Sequence, residues 1–589
     1  MPRGRAAQND AVPVPESRAR GVADRRLCAV SNADPCGASI VWDHAFSLLA
    51  PQDASSAGPL ELQRAVCAFQ TSAPRTSGYV VVVAVATETP VFVVGAGPVG
   101  LSMAIALRHF DVDCIVVEKH ASTLNFPRGR GVTVRTMEIM RRWGLENALV
   151  TVGLPRSESL AVFNGDSLLA AEFQRFVAPA PGPSALSPTQ ALICDQLEME
   201  VVLRDAAVAA GADVRFGWEL IDVADQGDHI AAVVAERASG REHALGASWM
   251  VAADGAHSPM RERLGIDRHG PGVVGFAVSI LIEASLGDRI TDRRSALYRL
   301  SGLPGGTLAA VDNDRRWLLF YGYDPAVQPA ESFTDARFRE LALTAIGDPS
   351  VHLSVVGHRY WQRTALVADR YRNGRIFLAG DAAHVCTPVG GLGMNCGIAD
   401  ADNLAWKLAG VISGWAGAAL LDTYEPERRP VAEQTAEASL GRARPPAPVD
   451  GLLLGVNYDS AAISPDGTTR PEPADPIGDY APVARPGHRA PHMWLDQAQT
   501  CSTLDLFGDT FALLTGSDGA AWRTATDTTT GVPLQVHEIL DRRWHELYGI
   551  GAGGAVLVRP DGHVAWRAPN EPAEATELGE VLKRAVGTA

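Results

Sequence analysis

Residues 90–100 read PVFVVGAGPVG, and this segment narrows the possible folds more than any other. The apolar run 90–94 predicts a buried strand, and the stretch from Val99 to about His109 predicts a helix. Between them stands G-x-G-x-x-G, and a second strand over 114–118 completes a βαβ unit. Gly95 permits the tight turn, Gly97 lets the backbone approach a pyrophosphate, and Gly100 lets the helix pack on the strand. Pro98 and Val99 open the helix, whose first N–H groups and positive dipole end suit an anion. Glu118, with Lys119 beside it, ends the second strand about 20 residues on, where an acid is expected on a ribose hydroxyl. An acid there argues against a 2′-phosphate. The chain is therefore expected to be α/β and to bind a dinucleotide.

Far downstream, residues 374–403 read GRIFLAGDAAHVCTPVGGLGMNCGIADADN. A short apolar strand over 376–379 runs into Gly380-Asp381. A loop with Pro388, Gly390, Gly391 and Gly393 follows, and a helix is expected from about Met394-Asn395. A carboxylate at a strand tip can hold a chain of hydroxyls, and a glycine-rich helix start offers bare N–H groups to a flat, electron-rich ring. With the upstream fingerprint, the two ends suit FAD.

The 589 residues exceed one ordinary core, so two or three domains are expected. With 52 basic against 68 acidic residues the net charge is −16, and no basic stripe offers a surface to nucleic acid or an anionic membrane. The eight cysteines contain no CxxC pair, so neither a metal nor a dithiol centre is expected, and reduced thiols in a cytoplasmic protein are the default. No apolar run is long enough to span a bilayer, and the first residues lack a secretory pattern. Residues 1–88 are expected to be a disordered extension, or sequence upstream of the native start. A helix over 196–210 is expected to end at Gly211. The alternation of Val214, Phe216, Trp218 and Leu220 reads as one half-buried strand. Residues 249–253 form another strand that leads into Asp254-Gly255, with Ser258-Pro259 opening a short helix. The stretch 270–365 is strand-rich with few helical signals.

Three blocks in order and spacing resemble class A flavoprotein aromatic monooxygenases, the group of para-hydroxybenzoate hydroxylase. They are the Gly95 fingerprint, Asp254-Gly255 with Ser258 and Arg261, and Gly380-Asp381. Pro127-Arg128 before Arg135-Thr136-Met137-Glu138 resembles the segment whose arginine lies beside the flavin, with Arg130 a rival for Arg128. Gln196 resembles a glutamine near the FAD ribityl or phosphate region. The Pro-rich segment and the run GAVLVRPDGHVAWR at 554–567 resemble the phenol hydroxylase and polyketide hydroxylase branch, as does Ser187-Pro188-Thr189 ahead of Gln196.

The resemblance implies a Rossmann-like FAD-binding domain of the glutathione reductase type, with an inserted β-sheet substrate domain and a C-terminal thioredoxin-like domain. In this sequence the FAD-binding domain falls at about 89–185, 245–270 and 366–440, and the substrate domain at about 186–244 and 271–365. A linker at 441–490 and a thioredoxin-like unit without CxxC at 491–589 follow. It further implies that NADPH or NADH reduces FAD, that O₂ gives a C4a-hydroperoxyflavin, and that an aromatic substrate, a polycyclic polyketide or a phenol, is hydroxylated by a monomer or homodimer. Asp381 would hold the ribityl chain, Pro388 and Gly391 would shape the loop, and Gly393, Met394 and Asn395 would face the reduced ring. No catalytic acid or base can be named, and His384 is expected to be structural. A Baeyer–Villiger oxygenase is the nearest alternative. A non-oxygenating FAD-dependent reductase or an inactive FAD-binding scaffold is the alternative from another class.

Overall fold

Val91 to Val94 pair in parallel with Cys114 to Val117 on one side and with Trp249 to Ala252 on the other, so the fingerprint strand lies at the centre of a sheet. The computed structural model describes residues 87–589 except 160, 178–184, 442–448, 527–530, 573 and 575. The strand begins at Thr87, and the expectation for the residues before it falls outside the described residues. The first sheet has the order Arg372–Asn373, Ile376–Leu378, Glu242–Ala252, Thr87–Val94, Cys114–Glu118, Asp213–Phe216, and Ile230–Glu236 with Trp218–Asp225 extends it beside Glu242–Ala252. At its centre Val91–Val93, Cys114–Val117 and Met250–Ala252 are apolar and buried. Helices Pro98–His109, Leu392–Ile412 and Gln196–Ala209 share this core.

The run 214–220 is not one strand. Gly217, at φ 75°, breaks it, so that Asp213–Phe216 runs parallel to Cys114–Glu118 and Trp218–Asp225 turns antiparallel to Ile230–Glu236. These strands lie in the first sheet, so most of 186–244 belongs with the fingerprint and not with a separate substrate domain. Conversely Ala161–Gly165 and Phe173–Val177 lie in the second sheet.

That second sheet runs His384–Val385, Ser354–Ala368, Arg268–Glu283, Arg316–Tyr323, Gly306–Ala310, Leu297–Leu300, Ala161–Gly165, Phe173–Val177. One face packs on helix Asp335–Ile346 through Phe338, Leu341, Ala342 and Ala345. Sequence reading missed this helix, although Thr334 caps it by accepting from Arg337 N at 3.2 Å and Gly347 ends it at φ 84°. The other face carries Leu281, Ala309, Val311 and Leu318, and Phe126 packs there.

Residues 449–490 hold one short helix, Asp450–Leu454, and are otherwise irregular, as their composition suggests, yet Tyr458, Ala462 and Ala484 are buried, so the segment is a packed strap and not a loose tether. The C-terminal sheet has the order Leu534–Glu538, Phe511–Thr515, Ala555–Val558, Val564–Ala568, with a core on each face and the closing helix Glu577–Ala585. Cys501 is a free thiol there, as are Cys114, Cys194, Cys386 and Cys396 elsewhere. Among the described residues, no helix is long and apolar enough to cross a membrane.

Candidate functional site

The sequence-distant motifs meet because their strands end side by side. Ala253 N donates to Val94 O at 2.8 Å, Ala379 N to Ala252 O at 3.0 Å, and Gly95 N to Val117 O at 2.8 Å. Gly95, Glu118, Asp254 and Gly380-Asp381 therefore line one carboxyl-end edge of the sheet, where open α/β folds bind ligands. The three fingerprint glycines divide the work. A Cβ on Gly95, at φ 102°, would stand 2.3 Å from Ala253 O, and one on Gly100 would stand 1.8 Å from Gly95 O. A Cβ on Gly97 would meet no protein atom within 4 Å, so that position is kept bare on its outer side. Gly97 also caps the helix without a side-chain bond, which leaves the first N–H groups free for an anion. Glu118 Oε2 accepts from Ala96 N at 3.0 Å inside this loop, while Lys119 is exposed.

Gly380, at φ 61°, lets two helices close on the second motif. A Cβ there would meet Val99 Cγ2 at 2.7 Å, and one on Gly397 would meet Gly380 Cα at 2.8 Å. Asp381 is solvent-accessible in its cleft. Desolvation by the surrounding protein still raises its carboxyl above the ordinary range, against the pull of His384 and Arg128. His384 has the partner that its sequence neighbourhood did not reveal, with Nε2 2.6 Å from Asp400 Oδ2 in a fully buried pair. Ligand atoms of His384, Cys396 and Asp400 lie within 4.8 Å of one another, a spacing a metal could use. Arg428 already sets a guanidinium there, with Nε 2.7 Å from Asp400 Oδ1 and Nη2 3.0 Å from Cys396 O, so the cluster carries its own cation.

The glycine loop turns through Gly390 and Gly391 at φ 80° and 65°, and the helix starts at Leu392, two residues before the expected position. Gly391 caps it without a side-chain bond, leaving the N–H groups of Gly393 and Met394 in a bare first turn below exposed Pro388. The Asn395 side chain is committed inside the protein. Its Oδ1 accepts from Thr133 N at 2.9 Å, and its Nδ2 donates to Gly131 O at 2.8 Å and Gly391 O at 2.6 Å. Gln196 is also committed, accepting from Gly129 N at 2.9 Å and donating to Glu200 at 2.8 Å.

The two rival arginines separate cleanly. Arg128 is exposed, and its charge acts on Asp381 and Glu200. Arg130 lies 3.7 Å from Asp195 and donates to Ala296 O and Ala310 O, tying the loop to the second sheet.

Sequence reading missed Glu200. It is buried one helical turn beyond Gln196, accepts from Leu124 N at 2.9 Å, and is raised by desolvation. Its i,i+4 spacing from Gln196 was the available signal. Asp254 accepts from Met260 N at 3.1 Å, its Oδ1 is buried with no protein partner, and desolvation raises its carboxyl. Loop 126–131 thus borders Met394 and Gly391 on one side, and through Phe126 the open face of the second sheet on the other. On that face Phe320 meets Trp361 edge-on at 6.5 Å, and Trp361 Nε1 donates to Ser279 at 2.9 Å.

Residues 88–439 match the FAD binding domain model and residues 483–589 match the model for the C-terminal part of aromatic-ring hydroxylases. The chain is 37% identical to a putative polyketide hydroxylase of Streptomyces halstedii, covering 85% of this chain and 97% of that protein. It is also 37% identical to the tetracenomycin A2 monooxygenase-dioxygenase of Streptomyces glaucescens, covering 84% and 96%. Among solved structures, the ternary complex of aklavinone-11 hydroxylase with FAD and aklavinone superposes with a TM-score of 0.78 at 34% identity, covering 85% of this chain and 99% of that one.

Proposed function

The chain belongs to the FAD-binding aromatic-ring hydroxylases, and from that premise we propose that it uses NADPH or NADH to hydroxylate a fused-ring phenolic substrate of the polyketide type. It is an FAD-dependent aromatic monooxygenase. The cleft residues suit that group, since Gly97 is bare where a pyrophosphate would pass and Asp254 Oδ1 is a buried acceptor without a partner. FAD, when bound there, would supply the redox chemistry of nicotinamide oxidation and O₂ activation that ring hydroxylation needs.

The chain's own residues bind, orient and exclude water. The helix start at Gly97 to Gly100 receives the pyrophosphate, and Glu118 a ribose hydroxyl. Asp381 accepts from the ribityl hydroxyls, for which a charged acceptor is worth more than a neutral one. The bare N–H groups of Gly393 and Met394 stabilise negative charge on the isoalloxazine. Asn395 and Gln196 act at one remove, by holding residues 129–131 and Gly391 in place. The substrate lies between loop 126–131 and the open face of the second sheet, whose apolar lining keeps the reacting centre dry. The C-terminal sheet is read as a thioredoxin-like unit without a redox pair.

The observation that carries this reading is the contact of Val99, Gly380 and Gly397, which sets the Asp381 strand tip and the bare helix start beside the fingerprint. The test is a screen of NADPH and NADH oxidation by the FAD-loaded protein across phenols and anthraquinone-like compounds, with mass spectrometry of products. A substrate that accelerates oxidation and gains one oxygen atom supports the reading. Oxidation that no aromatic compound accelerates would point to a reductase.

A further inference from the structure

The turn at residues 559–562 joins two strands of the C-terminal sheet and enters the FAD-binding core. Arg559 donates from both terminal nitrogens to Glu427, at 2.7 and 2.8 Å, and also binds Asp561 at 2.5 Å. Lys407 Nζ and Asn403 Nδ2 of the long helix Leu392–Ile412 each lie 2.7 Å from Glu427, and Trp406 Nε1 donates to Asp561 at 3.3 Å. The turn's carbonyls are taken by a second helix, Val134–Arg142. Arg142 donates to Pro560 O at 3.1 Å and Arg135 to Asp561 O at 2.8 Å, and Arg142 also pairs with Asp402 of the long helix.

Both helices therefore grip one turn, the long helix through its middle and the second through Arg135 in its first turn and Arg142 at its last residue. Where the two helices begin, Asn395 of the long helix accepts from Thr133 N, the cap of the second, and donates to Gly131 O and Gly391 O. Glu427, Lys407, Arg559 and Asp561 are at most 1% exposed in their side chains. Buried ion networks of this kind add little stability over apolar packing of the same volume, but they fix one arrangement of the groups they join. Forked arginines spanning a carbonyl and a carboxylate fix it more tightly than a point charge would.

We propose that the turn 559–562 is a positioning element for the flavin, clamping the two helices so that residues 131–132 and 388–391 present one geometry to the ring. The proposal rests on the reading that the start of the long helix faces the flavin. Arg135, Arg142, Arg559 and Asp561 are its positioning residues, and none of them needs to touch the cofactor.

The test uses the full chain with Arg135→Lys/Arg142→Lys, which keeps both charges but shortens the reach to the turn, and Arg142→Lys alone as the milder variant. FAD affinity and the visible circular dichroism of bound FAD are measured, together with thermal unfolding of the apoprotein. The expected result is FAD binding weakened about tenfold, the scale of coupling carried through packed networks, with an altered flavin band at saturating FAD. An unchanged affinity and flavin band, with only a lower unfolding temperature, would overturn the proposal and leave the turn as a structural anchor. Asp381→Ala in the same titration separates the two readings. If Asp381→Ala binds FAD like the wild type, the site reading fails. If Asp381→Ala is weakened while the arginine variants are not, the clamp alone fails.

Discussion

The acidic residues of the flavin cleft and those of the C-terminal junction are answered differently by the protein around them. At the junction, burial pushes Glu427 and Asp561 up, but Arg559 outweighs it for both, aided by Lys407 at Glu427 and His563 at Asp561, and both carboxyls stay low. Glu138 follows the same pattern against Arg489. In the cleft, desolvation wins at Glu200, Asp254 and Asp381, and all three carboxyls rise. The junction has supplied its own cations and is complete. Glu200 takes its donors from Leu124 and Gln196, whereas Asp254 Oδ1 is a buried acceptor that no donor of the chain meets, as expected where a ligand brings the donor.

The contrast can be broken most forcefully at Glu427. Glu427→Gln leaves Lys407 buried without its anion and Arg559 with Asp561 alone, so denaturant unfolding is expected to show a loss of about 3–5 kcal/mol. A loss under about 1 kcal/mol would mean the network is no more than a surface pair. Asp381→Asn is expected to do the reverse. Unfolding stability of the apoprotein should move by less than about 1 kcal/mol, while FAD affinity falls about ten- to hundredfold, the worth of a hydrogen bond to a charged acceptor.

The glycines sharpen the same division on a smaller scale. Gly97→Val is expected to weaken FAD binding about tenfold by blocking close approach, with a normal unfolding curve, because a Cβ there meets no protein atom within 4 Å. Gly100→Ala should instead destabilise the fold, because its Cβ would stand 1.8 Å from Gly95 O. If both variants behaved alike, the cleft would not be distinct from the core.

The gentlest probe is pH. The unfolded chain's carboxylates take up protons near pH ~4 while Glu427, Asp561 and Glu138 resist, so their stabilisation is full above that range and is lost as pH falls below it. Raised groups act with the opposite sign. The folded cleft takes up protons before the unfolded chain does, and the cost of burying Asp254 and Glu200 is relieved as pH falls towards ~4. Because protonated Asp381 is a poorer acceptor and burial raises its carboxyl, the FAD dissociation constant should begin to rise above the ordinary carboxylate range as pH falls. Asp381→Asn should flatten that rise.

The motifs of the cleft were legible in the sequence because each depends on local chemistry. A turn needs Gly95, a strand tip carries Asp381, and a helix start needs the glycines before Leu392. The division of strands between the two sheets was not legible, because Ala161–Gly165 and Trp218–Asp225 carry similar apolar patterns and only long-range pairing decides which sheet receives them. The junction was hidden for the same reason, with Glu427 and Arg559 separated by 132 residues. Arg128 and Arg130 were indistinguishable by type, and they part only because the carbonyls of Ala296 and Ala310 lie within reach of the second.

The most direct test of the central claim is turnover of a fused-ring phenol by the FAD-loaded chain under isotope-labelled dioxygen, with the product's mass and connectivity determined. The account predicts one labelled oxygen atom on an intact aromatic ring, formed by the wild type and lost with FAD binding in Asp381→Ala. Label inserted into a carbon–carbon bond next to a ketone, or product formed without label, would contradict it.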